Sequence, residues 1–346
     1  MKGRLTCVIS AAVSVLLIVC TVNYAFNTGK EEKKNNSPVL EASQSEVVVQ
    51  DFIHDNYVIS ERNPWTDYSL HPVEYSSADN TFQGKVSAKA AILVDINSNS
   101  VLYGKNEDKK MYPASTTKLM TALTVLQIMS VNDVVTIGNE ISYIASDSST
   151  AGFSKGQIVT VEELLEGLLI SSGNDAAYVL AKAAGQAIFE DNIANEGKTF
   201  TEEQCIARFV LEMNRNVSDM NLQNTHFTSP DGYDDDNQYT TATDLSKIAI
   251  EAYSNAVISD ICKKSSAYSD TLSKTWTSTN ALLDEDGEYY YEYCQGLKTG
   301  STGLAGKCLV SVGKKDDKEC VSVILNDSTD EQRWNDTKEL LSFGLK

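Results

Sequence analysis

Three short stretches of the chain carry residue types that can do chemistry together. The first is Ser115-Thr116-Thr117-Lys118, a hydroxyl and an amine three positions apart. Pro113 and Ser115 are helix-start residues, and behind them Leu119, Met120, Leu123, Leu126 and Met129 recur at helical spacing. That pattern predicts an amphipathic helix with Ser115 and Lys118 on one face of its first turn. A helix N-terminus offers free N–H groups and the positive end of a dipole to a developing oxyanion. A lysine drawn into a core-facing pocket loses solvation, so its pKa falls and it can take a proton from serine. Taken alone the pair says little, because Ser-x-x-Lys arises by chance roughly once or twice in a chain of ordinary composition. A second copy, Ser311-Val312-Gly313-Lys314, ends a strand-like run and heads no helix.

Two further stretches raise the value of the first copy. Residues 161–184 read as a pair of helices joined by Ser171-Ser172-Gly173-Asn174, where Ser172 and Asn174 can aim a hydroxyl and an amide into a cleft. An N-cap at Ser172 or Asn174 is the plain alternative. Later, Lys298-Thr299-Gly300 places a cation, a hydroxyl and a side-chain-free position along one strand edge, against which an extended peptide can lie. The elements that must hold these residues are legible too. KAAILVDI and SVLYGK read as strands around Asn97-Ser98-Asn99, and the Lys298 strand, CLVSVG and ECVSVILN read as an antiparallel meander closing the sheet.

Composition removes several other kinds of function. The 346 residues carry a formal net charge of −19, which argues against nucleic acid, because phosphate binding needs clustered Lys and Arg. The three histidines, His54, His71 and His226, show no metal-ligand spacing, so a zinc hydrolase or a histidine-based triad is not indicated. Beyond residue 26 the cysteines are Cys205, Cys262, Cys294, Cys308 and Cys320; an odd count without Cys-x-x-Cys predicts buried free thiols rather than a disulfide framework. Asp231, Asp234, Asp235 and Asp236 offer carboxylates to a cation such as Ca²⁺, with a solvated loop as the plainer reading. Asp284–Tyr293, acidic and Tyr-rich, reads as a hairpin arm.

Ser-x-x-Lys, Ser-x-Asn and Lys-Thr-Gly, in that order and each in suitable local structure, form the motif set of the penicillin-binding proteins and serine β-lactamases. The flanks PASTTKLMTAL, LLISSGNDAA, TTATDLSKIA, STNALL and GLKTGSTGLAGKCL resemble the low-molecular-mass D-alanyl-D-alanine carboxypeptidases over roughly residues 84–346. The resemblance implies an α/β, β-lactamase/D,D-peptidase-like fold, an antiparallel sheet flanked by helices with an all-helical lobe. It implies Ser115 as acylated nucleophile, Lys118 as its base, Ser172 as proton relay and Asn174 as a brace for Lys118 and the substrate. Lys298 and Thr299 would bind the terminal carboxylate beside Gly300, and the N–H groups of Ser115 and Ser301 would form the oxyanion hole. Arg333 matches an arginine that helps hold that carboxylate in the family; a solvated helix residue is the competing reading. The implied partners are peptidoglycan stem peptides and β-lactams, with no cofactor and no metal.

The rest of the chain adds expectations of its own. Lys2 and Arg4 precede an apolar stretch from Leu5 to Val22, read as a membrane anchor over 1–26, or a cleaved signal, that places the body outside the cytoplasm. Residues 27–83 read as a linker or N-terminal extension, and 84–346 as the catalytic domain, with no C-terminal β domain. Residues 186–208 look like an insertion that shapes the cleft rim. A class A β-lactamase would need a Glu-x-x-Leu-Asn loop between the second and third motifs, and residues 175–297 contain none. A non-catalytic wall-binding protein is the rival from outside enzymology, and the intact Ser115, Lys118, Ser172, Asn174 and Lys298 speak against it.

Overall fold

Strands buried on both faces read as unbroken apolar runs rather than alternating ones, and the central strands here do so. The computed structural model describes residues 70–77, 82–192 and 195–346; the membrane anchor or signal expected over 1–26 and most of the linker or extension expected over 27–83 lie outside the described residues. Six strands form the main sheet: β1 (Ser76–Ser77), β2 (Ala90–Asp95), β3 (Ser100–Lys105), β8 (Cys294–Thr302), β9 (Gly306–Lys315) and β10 (Lys318–Asp327), in the spatial order β1-β3-β2-β10-β9-β8. All neighbours are antiparallel except β1 against β3. The meander β8-β9-β10 is therefore as the sequence predicts, and β8 is left at the sheet edge. β4 (Val134–Thr136) with β5 (Ile158–Thr160), and β6 (Ser266–Ser269) with β7 (Lys274–Thr277), make two small hairpins.

Among the described residues there are seven α-helices: α1 (Lys118–Ile128), α2 (Val161–Leu169), α3 (Asn174–Glu190), α4 (Glu202–Asp219), α5 (Ala242–Ser254), α6 (Ala256–Cys262) and α7 (Asp330–Gly344). The period of two along the strands divides the core. Ile92, Val94, Val310, Val312, Val321 and Val323 face the helical lobe of α1–α6, while Ala91, Leu93, Leu309, Cys320 and Ile324 face Trp334, Leu340 and Leu341 of α7. The architecture is thus the sheet with helices on both faces and a helical lobe that the motif set implies. No helix among the described residues is long and apolar enough to cross a membrane.

Some expectations are altered. α1 is not amphipathic: all eleven of its residues are buried, because α2, α3, α4 and α5 surround it. Packed on every side, it belongs to the core rather than to a surface, and Thr121, Thr124 and Gln127 are enclosed with the rest. Leu70 is buried in the lobe-side core and Ser76 and Ser77 pair with Ser100 and Val101, so residues before 84 take part in this body. Asp284–Tyr293 forms turns rather than a hairpin arm; Tyr289, Tyr291 and Tyr293 lean on the α7 side of the core, which a protruding arm would leave bare. The five cysteines are free and buried, as their count suggests. Leu123 has no exposed surface on α1, and Leu123→Ala is expected to cost about 2–5 kcal/mol of stability, read as a fall in urea midpoint at unchanged slope.

Candidate active site

Ser115 does not lie in the α-helix itself but on a 3-10 turn, Ala114–Thr117, that leads straight into α1 at Lys118. The turn tightens the helix start and still leaves residues 115 and 118 on one side. The Lys118 amine has three partners: the Ser115 hydroxyl at 2.9 Å, Asn174 Oδ1 at 2.7 Å and the Asp231 carbonyl at 2.9 Å. Lys118 has no exposed surface. Burial pushes its pKa down to about 8, while the Asp231 and Asp175 carboxylates pull the other way. A neutral amine has two N–H donors and one lone pair. Asn174 Oδ1 and the Asp231 carbonyl can only accept, so they take both donors and leave the lone pair for the Ser115 O–H.

Ser172 and Asn174 sit where α2 gives way to α3. Gly173 precedes the helix, Ser172 has a left-handed backbone (φ +61°), and Ala114 beside Ser115 has another (φ +50°). Non-glycine residues held there cost on the order of 1–3 kcal/mol each and need their surroundings to hold them. The surroundings are visible. Ser149 Oγ donates to the Ser172 carbonyl at 2.7 Å, and the Asp175 carboxylate accepts the N–H groups of Ala151, Gly152 and Phe153 at 2.7–2.9 Å. The 148–153 loop and the α2–α3 junction thus brace each other. The expected N-cap role for Ser172 or Asn174 is not what is seen, since α3 has no side-chain cap.

The other wall is the free edge of β8. At Gly300 a Cβ would lie 3.0 Å from Ala114 Cβ and 3.2 Å from Ser115 N, so any side chain there would crowd the Ser115 turn and a bare backbone lets the strand come close without strain. Thr299 shares a 2.6 Å hydrogen bond with the Thr279 hydroxyl. A cavity of about 340 Å³ opens between the walls, and Ser115, Ser172, Asn174, Thr299, Gly300, Ser301 and Arg333 all line it. Arg333 is not a solvated helix residue: it is 7% exposed and donates to the carbonyls of Gly300 and Cys308 at 3.2 and 3.3 Å. Two predicted residues do not line the cleft: the fully buried Lys118, and Lys298. The buried amine of Lys298 donates to its neighbour's carbonyl, Thr299 O, at 3.0 Å. Burial, and then the charge of Lys118, holds its pKa well below the usual lysine value. None of the described residues of 186–208 lines the cleft either, contrary to their expected place at its rim. A larger hollow of about 600 Å³ on α7 exposes Ser342, whose hydroxyl is engaged with Tyr291 at 3.1 Å rather than with a base.

Asp231 is the residue that sequence reasoning missed. It is 1% exposed, not part of a solvated loop, and its carboxylate accepts from Asn174 Nδ2 at 2.7 Å and Ser229 Oγ at 2.7 Å. Its neighbours Asp234 and Asp235 accept from Thr302 and Asn237, and among the described residues no three acidic, His or Cys side chains gather as a metal would need. The one local signal was Asp231-Gly232: Gly232 has φ +87° and a Cβ there would fall 1.9 Å from the Ala114 carbonyl. Gly232→Ala should therefore destabilise the protein by more than about 1 kcal/mol, measured by denaturant unfolding, and should shift the Ser115 turn.

The profile of the D-alanyl-D-alanine carboxypeptidase family matches residues 76–189 and 205–329, a match interrupted inside the 186–208 stretch. The D-alanyl-D-alanine carboxypeptidase of Streptomyces sp. strain K15 is 30% identical over 275 residues, which cover 75% of this chain and 88% of the relative. DacF of Bacillus subtilis is 29% identical over 268 residues, 75% of this chain and 62% of the relative, so the chain spans less than two thirds of that protein's length. The crystal structure of the Streptomyces K15 DD-transpeptidase aligns with a TM-score of 0.68 at 30% identity, over 76% of this chain and 99% of that one. With the Ser115 hydroxyl, the Lys118 amine and the Asn174 amide brought together by this fold, the chain belongs to the D-alanyl-D-alanine carboxypeptidase family.

Proposed function

We propose that this protein is a penicillin-binding serine D,D-carboxypeptidase that removes the terminal D-Ala from peptidoglycan stem peptides. The observation that carries the reading is the buried Lys118 amine, held by two acceptors with its lone pair on Ser115. The Ser115 O–H gives its proton to Lys118 as Oγ attacks the carbonyl carbon of the penultimate D-Ala. The N–H groups of Ser115 and Ser301, on the turn and on the β8 edge, hold the oxyanion. The C–N bond then breaks, and the departing amine takes the proton from Lys118 by way of the Ser172 hydroxyl. Water then attacks the acyl-enzyme ester, giving its proton to Lys118; the bond between Ser115 Oγ and the acyl carbon breaks, Lys118 returns the proton to Oγ, and the stem peptide leaves with a new carboxylate. A β-lactam ring would acylate the same serine.

The substrate's terminal carboxylate would lie against Thr299, Ser301 and Arg333. Lys298, on the same strand, is fully buried, and burial and then the charge of Lys118 hold its pKa well below the usual lysine value. The apolar Leu5–Val22 behind Lys2 and Arg4 supports an export or anchoring role for the N-terminus, with the cleft working outside the cytoplasm. The Streptomyces neighbour is named a DD-transpeptidase, which makes an acceptor amine the natural competitor of water.

Wild type and Ser115→Ala should be exposed to a fluorescent penicillin and to a peptide ending in D-Ala-D-Ala. The wild type is expected to be labelled stably and to release D-Ala; Ser115→Ala is expected to do neither, a loss of at least about 10³-fold. A labelled Ser115→Ala would overturn the nucleophile, and rapid turnover of the penicillin would indicate a β-lactamase instead.

A further inference from the structure

We propose that Asp231 is a positioning residue that fixes which way the Asn174 amide faces, and through it the direction of the Lys118 lone pair. The inference deepens the reading above and rests on it for its catalytic meaning. An asparagine amide is nearly symmetric in shape, and only its hydrogen bonds decide which end faces a given partner. The end of Asn174 that meets Lys118 must be the oxygen, or its NH2 would face the donors of a protonated amine or take the lone pair of a neutral one from Ser115. What enforces this lies at the other end: Nδ2 meets the Asp231 carboxylate at 2.7 Å and the Ser148 hydroxyl at 2.9 Å. Ser148 can donate or accept, so it would tolerate either orientation. A carboxylate only accepts, so it tolerates one.

Asp231 is itself held fast. Its Oδ1 accepts from Ser229 Oγ at 2.7 Å and from Tyr233 N at 3.1 Å, and its main-chain carbonyl takes one of the Lys118 protons at 2.9 Å. One turn further along α1, Thr121 donates to the Pro230 carbonyl at 2.6 Å, which pins the loop to the helix that bears the base. The same residue therefore grips the amine twice, directly through its backbone and indirectly through Asn174.

The carboxylate also acts on the amine through space. The charged groups that act on Lys118 are Asp231 and Asp175, which favour its protonated form, while the charge of Lys118 in turn lowers the pKa of the buried Lys298. Asp231→Asn removes one of the two negative charges and keeps the size. It also puts an amide where only acceptors were needed: with its oxygen kept for Ser229 and Tyr233, its NH2 confronts the NH2 of Asn174, and one amide must turn over. Lys118 should then titrate at lower pH while its lone pair is no longer held on Ser115.

The test is a pH titration of the Lys118 Cε resonance in protein carrying 13C-labelled lysine, assigned with Lys118→Arg, in wild type and Asp231→Asn, beside the acylation rate with a penicillin. Expected are a lower Lys118 midpoint in Asp231→Asn and acylation slowed by about 10- to 100-fold at pH values where Lys118 is neutral in both. An unchanged midpoint with an unchanged rate overturns the assignment. The midpoint is read without any substrate, so absence of wild-type acylation would sink the proposed reaction and leave this assignment to be decided by the titration. If Asp231→Asn does not fold, the wild type decides. Asn174 Nδ2 protons that exchange slowly and resonate downfield, as a charge-assisted bond requires, support the role; fast exchange at an ordinary shift overturns it.

Discussion

The structure depends on keeping one amine dry and aimed. A lysine placed in a core is costly unless its polar groups are satisfied, and here each satisfaction fixes a direction. Lys118 has no contact with solvent, and its partners come from three separate parts of the chain: the turn before α1, the start of α3 and the loop before α5. Burial lowers the proton affinity of the amine, and two acceptors use its donors. What is left is a lone pair one helical turn from a hydroxyl. The surrounding fold can be understood as the set of packing solutions that hold those three segments together without admitting water.

Two of these solutions are close approaches of backbone. Gly300 lets the β8 edge lie against the nucleophile turn, and Gly232 lets the Asp231 loop lie against the Ala114 carbonyl. A third is strain, held at Ala114 and Ser172 by neighbours that are themselves hydrogen-bonded. The apolar core on both faces of the sheet supplies the rigidity against which this strain is kept, because close-packed interiors do not yield gradually.

Much of this was legible in the amino-acid order. The β8-β9-β10 meander, the α2–α3 pair and the convergence of Ser115, Lys118, Ser172, Asn174 and the Thr299–Ser301 edge follow from local patterns and from motif order. What was not legible depends on contacts across long sequence distances. Asp231 looks like one more carboxylate in an acidic loop until the fold places it 2.7 Å from Asn174. Arg333 looks like an exposed helix residue until α7 lays it across the carbonyls of Gly300 and Cys308. Lys298 stands on the predicted strand, but which way a long side chain turns is a matter of tertiary packing, and it turns inward. The all-round burial of α1 was hidden for the same reason, since its threonines and Gln127 read as a polar face and are instead enclosed.

The central claim is that the base is a lysine that is neutral when it works. The direct measurement is the rate of acylation of the wild-type protein by a penicillin across pH 5 to 10. Because burial lowers the Lys118 pKa to about 8, the protonated, inactive form dominates below that value, and the rate should climb about tenfold per pH unit on the acid side before levelling off above it. A rate that stays flat over the whole range, or that already reaches its plateau near pH 5, would contradict the account.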